Sequence, residues 1–357
     1  MQGCAPSDRP ERPDGNVSFD IDASLATLGE KLYFDENLSN PAGQSCASCH
    51  LPEAGFADPD QHFPVSEGVI SSQFGARNAP TASYAAHIPD FSFDQTNNGG
   101  EFTGGQFWDG RASTLEDQAK GPFLNPLEMN MADAKAVVDA VRVSEYAEEF
   151  EQVFGASTLL DSESAFEFIA QAIAEFERTD LFSPFTSKFD AVQADDDVFT
   201  QSEANGQGLF NQKADCRRCH NTNGNGAEFF TDFEYKNVGV PANPNNPFLT
   251  LDASFNPDGT EFIDFGLGAV LNESNHNGKF RTPTLRNIAT TAPYMHNGVF
   301  NTLEEVIQFY NRRDVDQIEA EVDDNVDNGG NIGNLELTQT EIADLADFLR
   351  TLTDNYQ

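Results

Sequence analysis

Cys46-Ala47-Ser48-Cys49-His50 and Cys216-Arg217-Arg218-Cys219-His220 are the two stretches that decide the fold of this chain. In each, two cysteines three positions apart are followed at once by a histidine, which is the attachment pattern of c-type haem. The thiols bind the haem covalently, and the histidine then binds the iron from the proximal side. We therefore expect two covalently bound haem c groups, held by Cys46, Cys49 and His50 and by Cys216, Cys219 and His220.

Zinc binding and disulfide exchange are the alternative roles of a CxxC pair. A structural zinc site takes four ligands, usually with a second CxxC or a pair of histidines nearby. A thioredoxin-like pair occurs beside a strand–helix–strand pattern. Neither context surrounds these motifs, so the haem interpretation is favoured.

The hydrophobic pattern predicts a mainly α fold, made of two cytochrome-c-like haem domains with long irregular loops. The 357 residues are 38% hydrophobic and include 31 phenylalanines, enough for two buried cores. Helical spacing of apolar residues recurs in residues 25–34, 132–154, 162–181, 201–213, 302–311 and 338–353. We expect a flexible leader (1–19), an N-terminal haem domain (20–185) and a C-terminal haem domain (186–357).

The net charge is strongly negative, with 59 acidic against 20 basic residues and a formal charge of −39. Such a surface repels nucleic acid and anionic membranes, so neither is an expected partner. Because the acidic residues are spread along the chain, adaptation to a salty medium is favoured over steering of a basic redox partner.

The fifth cysteine, Cys4, follows Gly3 at the start of a Pro-rich leader. A small residue before a cysteine is how lipoprotein signals end, so Cys4 is either a lipid anchor or an unmodified tail cysteine. Bacterial c-type haem is attached outside the cytoplasm, which predicts a periplasmic or exported protein. No apolar run reaches the ~18 residues that a transmembrane helix needs.

The chain resembles the bacterial di-haem cytochrome c peroxidase and MauG family from about Leu25 to Leu352. The motifs that carry the resemblance occur in the family's order. They are LGEKLYFDENLS (28–39), the first CxxCH, GFAD (55–58), RNAPT (77–81), FWDGR (107–111), Gln118, GP (121–122), NP (125–126), Glu128, the second CxxCH, RTPTLRN (281–287), APYMHNG (292–298) and FLRTLT (348–353).

The resemblance implies that the haem on His50, in the N-terminal domain (20–185), is the peroxide-reactive one and binds H₂O₂. The haem on His220, in the C-terminal domain (186–357), would be the electron-transfer haem. Glu128 and Gln118 match the family's distal pair, and Glu128 would move a proton between the two peroxide oxygens. Trp108, the single tryptophan, matches the aromatic residue between the haems. A homodimer and an unidentified redox partner, either a protein or a small-molecule electron donor, are further implications.

A calcium ion between the domains is also implied by the resemblance. Asn78 matches the residue whose side chain helps to bind it, and Thr291 and Pro293 match positions that offer backbone carbonyls. Oxygen ligands of this mixed kind suit Ca²⁺. Arg111 and Arg286 are expected to hold haem propionates or to support the fold.

Tyr310 is the first departure from the peroxidase pattern, because peroxidases of the family have a methionine there as the distal ligand of the second haem. The MauG branch has tyrosine at that position. A tyrosinate donates charge and favours oxidised iron, so the second haem would store an oxidising equivalent. The alternative is that Tyr310 is an interfacial aromatic residue and that Met295 binds the iron.

Ile70 is the second departure, since many peroxidases of the family have a histidine there that caps the first haem. His62 and His87 are the nearest substitutes, and both are more typical of loop histidines. Three functions remain: a MauG-like enzyme that oxidises a protein or small molecule, an H₂O₂-scavenging peroxidase fed by a small cytochrome or cupredoxin, and a passive electron carrier.

Overall fold

A computed structural model describes residues 22–95, 100–221 and 228–355, so the leader with Cys4 lies outside the described residues. The helices within these ranges are α1 (Ala23–Tyr33), α2 (Cys46–Cys49), α3 (Leu115–Leu124), α4 (Ala134–Arg142), α5 (Ala147–Phe154), α6 (Ser162–Glu177), α7 (Lys188–Gln193), α8 (Gln201–Asn211), α9 (Leu267–Leu271), α10 (Leu303–Arg312) and α11 (Gln339–Arg350). The strands are β1 (Ser92–Asp94), β2 (Glu101–Thr103), β3 (Tyr235–Lys236) and β4 (Phe280–Arg281). The predicted mainly α fold is confirmed.

Helices α1 and α6 form the centre of the N-terminal domain. Asp22 caps α1 by accepting hydrogen bonds from the backbone N–H groups of Ser24 and Leu25. The two helices approach closely at Gly29, where a Cβ atom would lie 1.9 Å from the carbonyl oxygen of Ala172. Only glycine permits this contact, which brings α6 against the segment that leads into the first haem motif.

Helices α8 and α11 repeat this arrangement in the C-terminal domain. Both begin with a capping box, Thr200 with Glu203 and Thr338 with Glu341. A Cβ atom on Gly206 would lie 2.0 Å from the carbonyl oxygen of Asp344 in α11. The same device, a glycine in the helix before the haem motif, therefore brings the last helix of each domain against the motif-bearing segment.

The buried hydrophobic residues form two large clusters. The members of the first run in sequence from Leu28 to Phe182, and those of the second from Phe189 to Leu352. Helix α7 lies at the start of the stretch expected to form the C-terminal domain, residues 186–357. The sheets are small, since β1 pairs with β2 and β3 with β4, both antiparallel. Loops without regular structure supply most of the wall of the cavity beside the second haem motif.

Asp354 joins three separated segments of the chain. Its carboxylate accepts a hydrogen bond from the Tyr84 hydroxyl at 2.9 Å, from the Asn287 amide at 3.0 Å and from the Thr186 backbone N–H at 3.0 Å. Tyr84 belongs to the N-terminal domain, and Thr186 and Asn287 belong to separate segments of the C-terminal domain. Among the described residues, no helix is long and apolar enough to cross a membrane.

Candidate haem sites

The first haem motif forms the short helix α2, which Ser45 and Ser48 cap reciprocally. Cys46 and Cys49 are not joined in a disulfide, so both thiols are available for haem attachment. The His50 ring Nδ1 lies 3.2 Å from the backbone carbonyl of Phe56. A hydrogen bond there places the proton on Nδ1 and leaves Nε2 for a metal. These residues fit a covalently bound haem.

The surroundings of His50 keep its imidazole neutral and fixed. Burial lowers the pKa of His50, and the bond to the Phe56 carbonyl offsets this only in part. The hydroxyl of Tyr33, at the end of α1, donates to the backbone carbonyl of His50 at 2.9 Å. The Phe56 ring stacks on Phe182 with centroids 4.0 Å apart, which holds the accepting carbonyl in place.

Glu128 lies near the first pair of cysteines, and its negative charge contributes to the raised pKa of both Cys46 and Cys49. The Asn125 side-chain amide donates to the Glu128 carboxylate at 2.8 Å. Burial raises the pKa of Glu128, while the positive charge of Arg111 and the Asn125 hydrogen bond act in the opposite direction. Glu128 is therefore a carboxyl group held in place beside the first motif, with its proton affinity increased.

Gln118, the other residue of the expected distal pair, lies half-buried in α3. In the described part of the chain no hydrogen bond joins its side chain to Glu128. The two side chains are therefore not linked directly, and any joint action on a ligand requires that ligand to lie between them.

The loop that carries Ile70 lies against Glu128. The Val69 backbone N–H donates to the Glu128 carbonyl at 2.8 Å. Close packing also requires glycine at Gly68, where a Cβ atom would lie 2.3 Å from the Leu127 carbonyl oxygen. The position at which related peroxidases carry a capping histidine is thus beside the expected distal acid, and here it holds an isoleucine.

The two substitute histidines differ in their surroundings. His62 is exposed, and its backbone N–H donates to the Asp60 carboxylate. His87 packs in an aromatic group, with its ring centroid 4.7 Å from that of Phe229 and 6.0 Å from that of Phe185. Phe229 lines the second haem cavity, so His87 lies on that side of the molecule.

The second haem motif opens into a large cavity lined mainly by apolar side chains, with Cys216, Cys219, His220 and Tyr310 in its wall. The His220 ring Nδ1 lies 2.9 Å from the Phe230 carbonyl, as His50 does with Phe56 in the first site. Nε2 is again left for a metal. The thiols are not paired with each other, and this site also fits a haem.

Tyr310 and Met295 both line this second cavity. Burial raises the pKa of Tyr310, and the charges of the Cys219 and Cys216 thiolates raise it further, which places the phenol oxygen near both sulfurs. Met295 has a backbone φ of +72°, an unusual conformation for a residue with a side chain. Both candidates for the distal position are therefore in the same cavity.

Trp108 lies between the two domains and also lines the second cavity. Its indole N–H donates to the Asn78 carbonyl at 2.8 Å, and its own carbonyl accepts from the Arg281 backbone N–H at 2.8 Å. One bond reaches the N-terminal domain and the other the C-terminal domain. The structure thus brings the tryptophan to the boundary at which an aromatic residue is expected.

Asn78, Thr291 and Pro293, the residues expected to bind calcium, all line the same cavity. The Asn78 amide nitrogen donates to the Pro64 carbonyl at 3.2 Å. That bond occupies the nitrogen and leaves the side-chain oxygen for a cation. A set of one amide oxygen and backbone carbonyls is compatible with Ca²⁺.

Ion pairs around Trp108 are a feature that the sequence analysis missed. Arg77 binds Asp264 through two nitrogens, at 2.5 and 2.7 Å, and binds Asp109 at 2.6 Å. The other oxygen of Asp109 accepts from Arg111 at 2.9 Å. Arg77 stands in RNAPT, and Asp109 and Arg111 stand in FWDGR, so these motifs were visible. Asp264 lies in neither motif, and the sequence does not show which charges pair.

Arg286 supports the fold and does not line the second cavity. It is fully buried, binds both Asp190 oxygens at 2.7 and 2.9 Å and lies 5.0 Å from the Phe185 ring centroid. Arg111 stacks on the Phe107 ring at 3.6 Å and lies near Glu128. Of the two alternatives for Arg286, structural support is therefore the one that its contacts favour.

Comparisons with known proteins agree with this geometry. The family model described as di-haem cytochrome c peroxidase matches residues 23–198, and a cytochrome c model matches residues 203–353. The methylamine utilization protein MauG of Paracoccus denitrificans is 40% identical, with 93% of this chain and 89% of the relative covered. Cytochrome c551 peroxidase of Nitrosomonas europaea is 32% identical, covering 93% and 80%. The crystal structure of the diheme peroxidase BthA from Burkholderia thailandensis superposes with a TM-score of 0.82 at 32% identity, covering 97% of this chain and 90% of that one.

Proposed function

Because this chain belongs to the di-haem cytochrome c peroxidase and MauG family of oxidoreductases, we propose that it uses H₂O₂ to oxidise a protein or small-molecule donor, in the manner of MauG. The family membership implies two haem c groups and a peroxide substrate. When bound, the haem on His50 supplies the iron that takes peroxide, and the haem on His220 supplies a second store of oxidising equivalents. The protein residues control protons and electron flow around them.

Glu128 is the proposed acid–base group. A carboxylate oxygen of Glu128 accepts the proton of the peroxide oxygen nearer to the iron. It then gives this proton to the peroxide oxygen farther from the iron, which leaves as water. Asn125 holds the carboxylate at 2.8 Å, so the group is oriented before peroxide enters. Because burial raises the pKa of Glu128, the carboxyl group returns the proton more slowly to water and keeps it available for transfer.

Tyr310 is the residue that favours a MauG-like function over simple peroxide scavenging. Its phenol lies in the second cavity near both haem-binding cysteines. Burial and the two cysteines disfavour the phenolate, so the positive charge of a bound iron would have to ionise Tyr310, and the resulting anionic oxygen would stabilise an oxidised second centre. The isoleucine at position 70 supports the same choice, because a first haem without a capping histidine needs no prior reduction to admit peroxide. Trp108, bonded to both domains, is the proposed electron relay between the haems.

A calcium ion held by Asn78, Thr291 and Pro293 is part of this proposal. The Asn78 backbone N–H donates to the His296 carbonyl at 2.7 Å, and its carbonyl accepts from Trp108. A cation at the Asn78 side chain would therefore fix the backbone that positions the indole. An exported or periplasmic location is proposed for the enzyme as well, since that is where bacterial haem c is attached.

The test is to add one equivalent of H₂O₂ to the fully oxidised protein and record optical, EPR and Mössbauer spectra. Rapid oxidation of both irons beyond the ferric state, without prior reduction, is the expected result. A protein that reacts only after one haem has been reduced is instead a scavenging peroxidase fed by a small cytochrome or cupredoxin. A protein inert in both states is a passive electron carrier.

The scavenging peroxidase is the second candidate, because relatives similar to this chain carry both names, MauG and cytochrome c peroxidase. Met295 is the residue on which this alternative depends, since it lines the same cavity as Tyr310. If Met295 binds the second iron, the higher potential expected of a methionine-ligated haem suits the acceptance of electrons from a donor protein.

A further inference from the structure

Arg281 is a buried cation that no carboxylate of the described residues neutralises. It lies in β4 with 7% of its surface exposed, and its side chain lines the second haem cavity. Its Nε–H is buried without a hydrogen-bond partner, and within the described ranges no acidic side chain is within ion-pair distance. Burial lowers the pKa of Arg281, and the nearby Tyr235 only partly offsets this. The Arg281 guanidinium therefore has no counter-ion among the described residues.

Apart from the expected iron ligand His220, which faces the Phe230 carbonyl, the other basic side chains that line the same cavity have acidic partners. These are Arg218 with Asp327 at 3.3 Å, Lys236 with Glu234 at 2.5 Å and His296 with Glu321 at 3.3 Å. Within the part of the chain that the structure describes, Arg281 is therefore the one permanently charged side chain of the cavity without an acidic partner. A buried charge of that kind is costly unless a ligand pairs with it.

We propose that Arg281 binds a propionate carboxylate of the haem attached to Cys216 and Cys219. A guanidinium presents its donors in a planar fork that matches a carboxylate, and pairs of this kind are stronger than neutral hydrogen bonds. The free Nε–H is one donor for this bond. Arg286, which sequence reasoning considered for the same task, is already bound to Asp190.

The same residue also holds the backbone of the proposed electron relay. The Arg281 backbone N–H donates to the Trp108 carbonyl at 2.8 Å, and one terminal nitrogen donates to the Phe107 carbonyl at 3.3 Å. A carboxylate bound to Arg281 is thus connected through a single residue to Trp108. Arg281 therefore has two roles. It neutralises a propionate of the second haem, and it fixes the position of the Trp108 indole.

The test compares the midpoint potentials of both haems in the holoenzyme, measured by spectroelectrochemistry, for Arg281→Gln and Arg281→Lys. Loss of a buried positive charge should lower the potential of the second haem in Arg281→Gln and leave that of the first haem unchanged. The propionate bending bands of the second haem in resonance Raman spectra should shift in both variants, because lysine keeps the charge but not the fork. Lys279→Gln, which removes one positive charge from the same segment but does not line the cavity, is the matched control and should change neither readout.

An unchanged second-haem potential in Arg281→Gln, or unchanged propionate bands in both variants, overturns the proposal. If Arg281→Gln fails to incorporate haem, Arg281→Lys decides the question. In that variant the expected result is a potential near that of the wild type with shifted propionate bands. These readouts do not depend on peroxide reactivity, so they stand whether or not the proposed function is correct.

Discussion

The indole N–H of Trp108 donates a 2.8 Å hydrogen bond to the backbone carbonyl of Asn78. Arg77, which precedes Asn78, binds Asp109, which follows Trp108, at 2.6 Å. Two neighbouring residues of RNAPT are thus bonded to two neighbouring residues of FWDGR. Asn78 is buried and Trp108 half-buried. The indole therefore has a fixed orientation at the domain boundary, as an electron relay requires.

Trp108→Phe is expected to slow electron transfer between the two haems by at least an order of magnitude. Phenylalanine keeps an aromatic ring but is much harder to oxidise, and it loses the bond to Asn78. Stopped-flow spectra after addition of H₂O₂ should show a first haem that reacts at the normal rate and a second haem that lags.

Tyr235→Phe is the control for this variant, because it removes a hydroxyl bonded to the Gly104 carbonyl but leaves the indole in place. It should transfer electrons at the wild-type rate. If the spectra of both haems change at the same rate in Trp108→Phe, the electrons pass between the haems by a route that does not include Trp108.

Much of the fold followed from the sequence, because its signals are local. The CxxCH motifs specify the cofactor by covalent chemistry, and helical spacing in 162–181 and 338–353 predicts α6 and α11. The repeated glycine contacts at Gly29 and Gly206 were not predictable, since a glycine within a helix shows nothing of the distant carbonyl that excludes a Cβ atom.

The candidate site was less predictable, because its residues are distant in sequence and are brought together by loops. Glu128 was identified through the family resemblance alone, and the 2.8 Å bond from Asn125 required coordinates. Arg281 shows the same limit. Its motif was visible, yet its lack of an acidic partner depends on how every other charge around the cavity pairs.

Glu128→Gln should slow the reaction with H₂O₂ by about 10²–10⁴-fold, the usual contribution of a general acid–base group. Glutamine keeps the shape and can still contact Asn125, but it cannot carry a proton. The rate of the first spectral change after mixing is the measurement, with haem content as a check. Glu116→Gln, a carboxyl group on α3 paired with Arg178, should react at the normal rate. Similar rates for both variants would remove Glu128 from the mechanism.

Tyr310→Met should raise the midpoint potential of the second haem, because a thioether stabilises reduced iron better than a phenolate does. The optical spectrum of that haem should change with it. Met295→Leu should leave both properties unaltered if Tyr310 is the ligand. If only Met295→Leu changes these properties, Met295 is the distal ligand of the second haem iron. That result would favour the scavenging peroxidase.

Removal of calcium should slow electron transfer between the haems without loss of haem. A cation at Asn78 fixes the backbone that accepts the Trp108 hydrogen bond, so its loss would loosen the indole. Dialysis against a chelator, followed by metal analysis and stopped-flow measurement, tests this, and added Ca²⁺ should restore the rate. Asn78→Ala should resemble the chelated protein and fail to respond to Ca²⁺. A protein that contains no calcium before dialysis would contradict the proposed site.

Glu177 should make the unfolding free energy depend on pH. It ends α6 with 6% of its surface exposed, and burial raises its pKa from 4.5 to about 8, with Arg178 opposing and Glu116 adding to the shift. Between pH 4.5 and 8 the folded chain therefore keeps a proton that the unfolded chain has lost. Stability from this group is complete below pH 4.5 and falls as the pH rises towards 8.

Glu177→Gln has no such proton to lose, so its stability relative to the wild type should increase with pH. The gain should reach a few kcal/mol near pH 8, at about 1.4 kcal/mol for each unit of pKa shift. Urea unfolding followed by circular dichroism at pH 5, 6.5 and 8 gives this difference. Glu167→Gln, at an exposed position of the same helix paired with Lys120, should show a difference that does not vary with pH. A constant difference for Glu177→Gln as well would mean that Glu177 is ionised in the folded protein throughout this range.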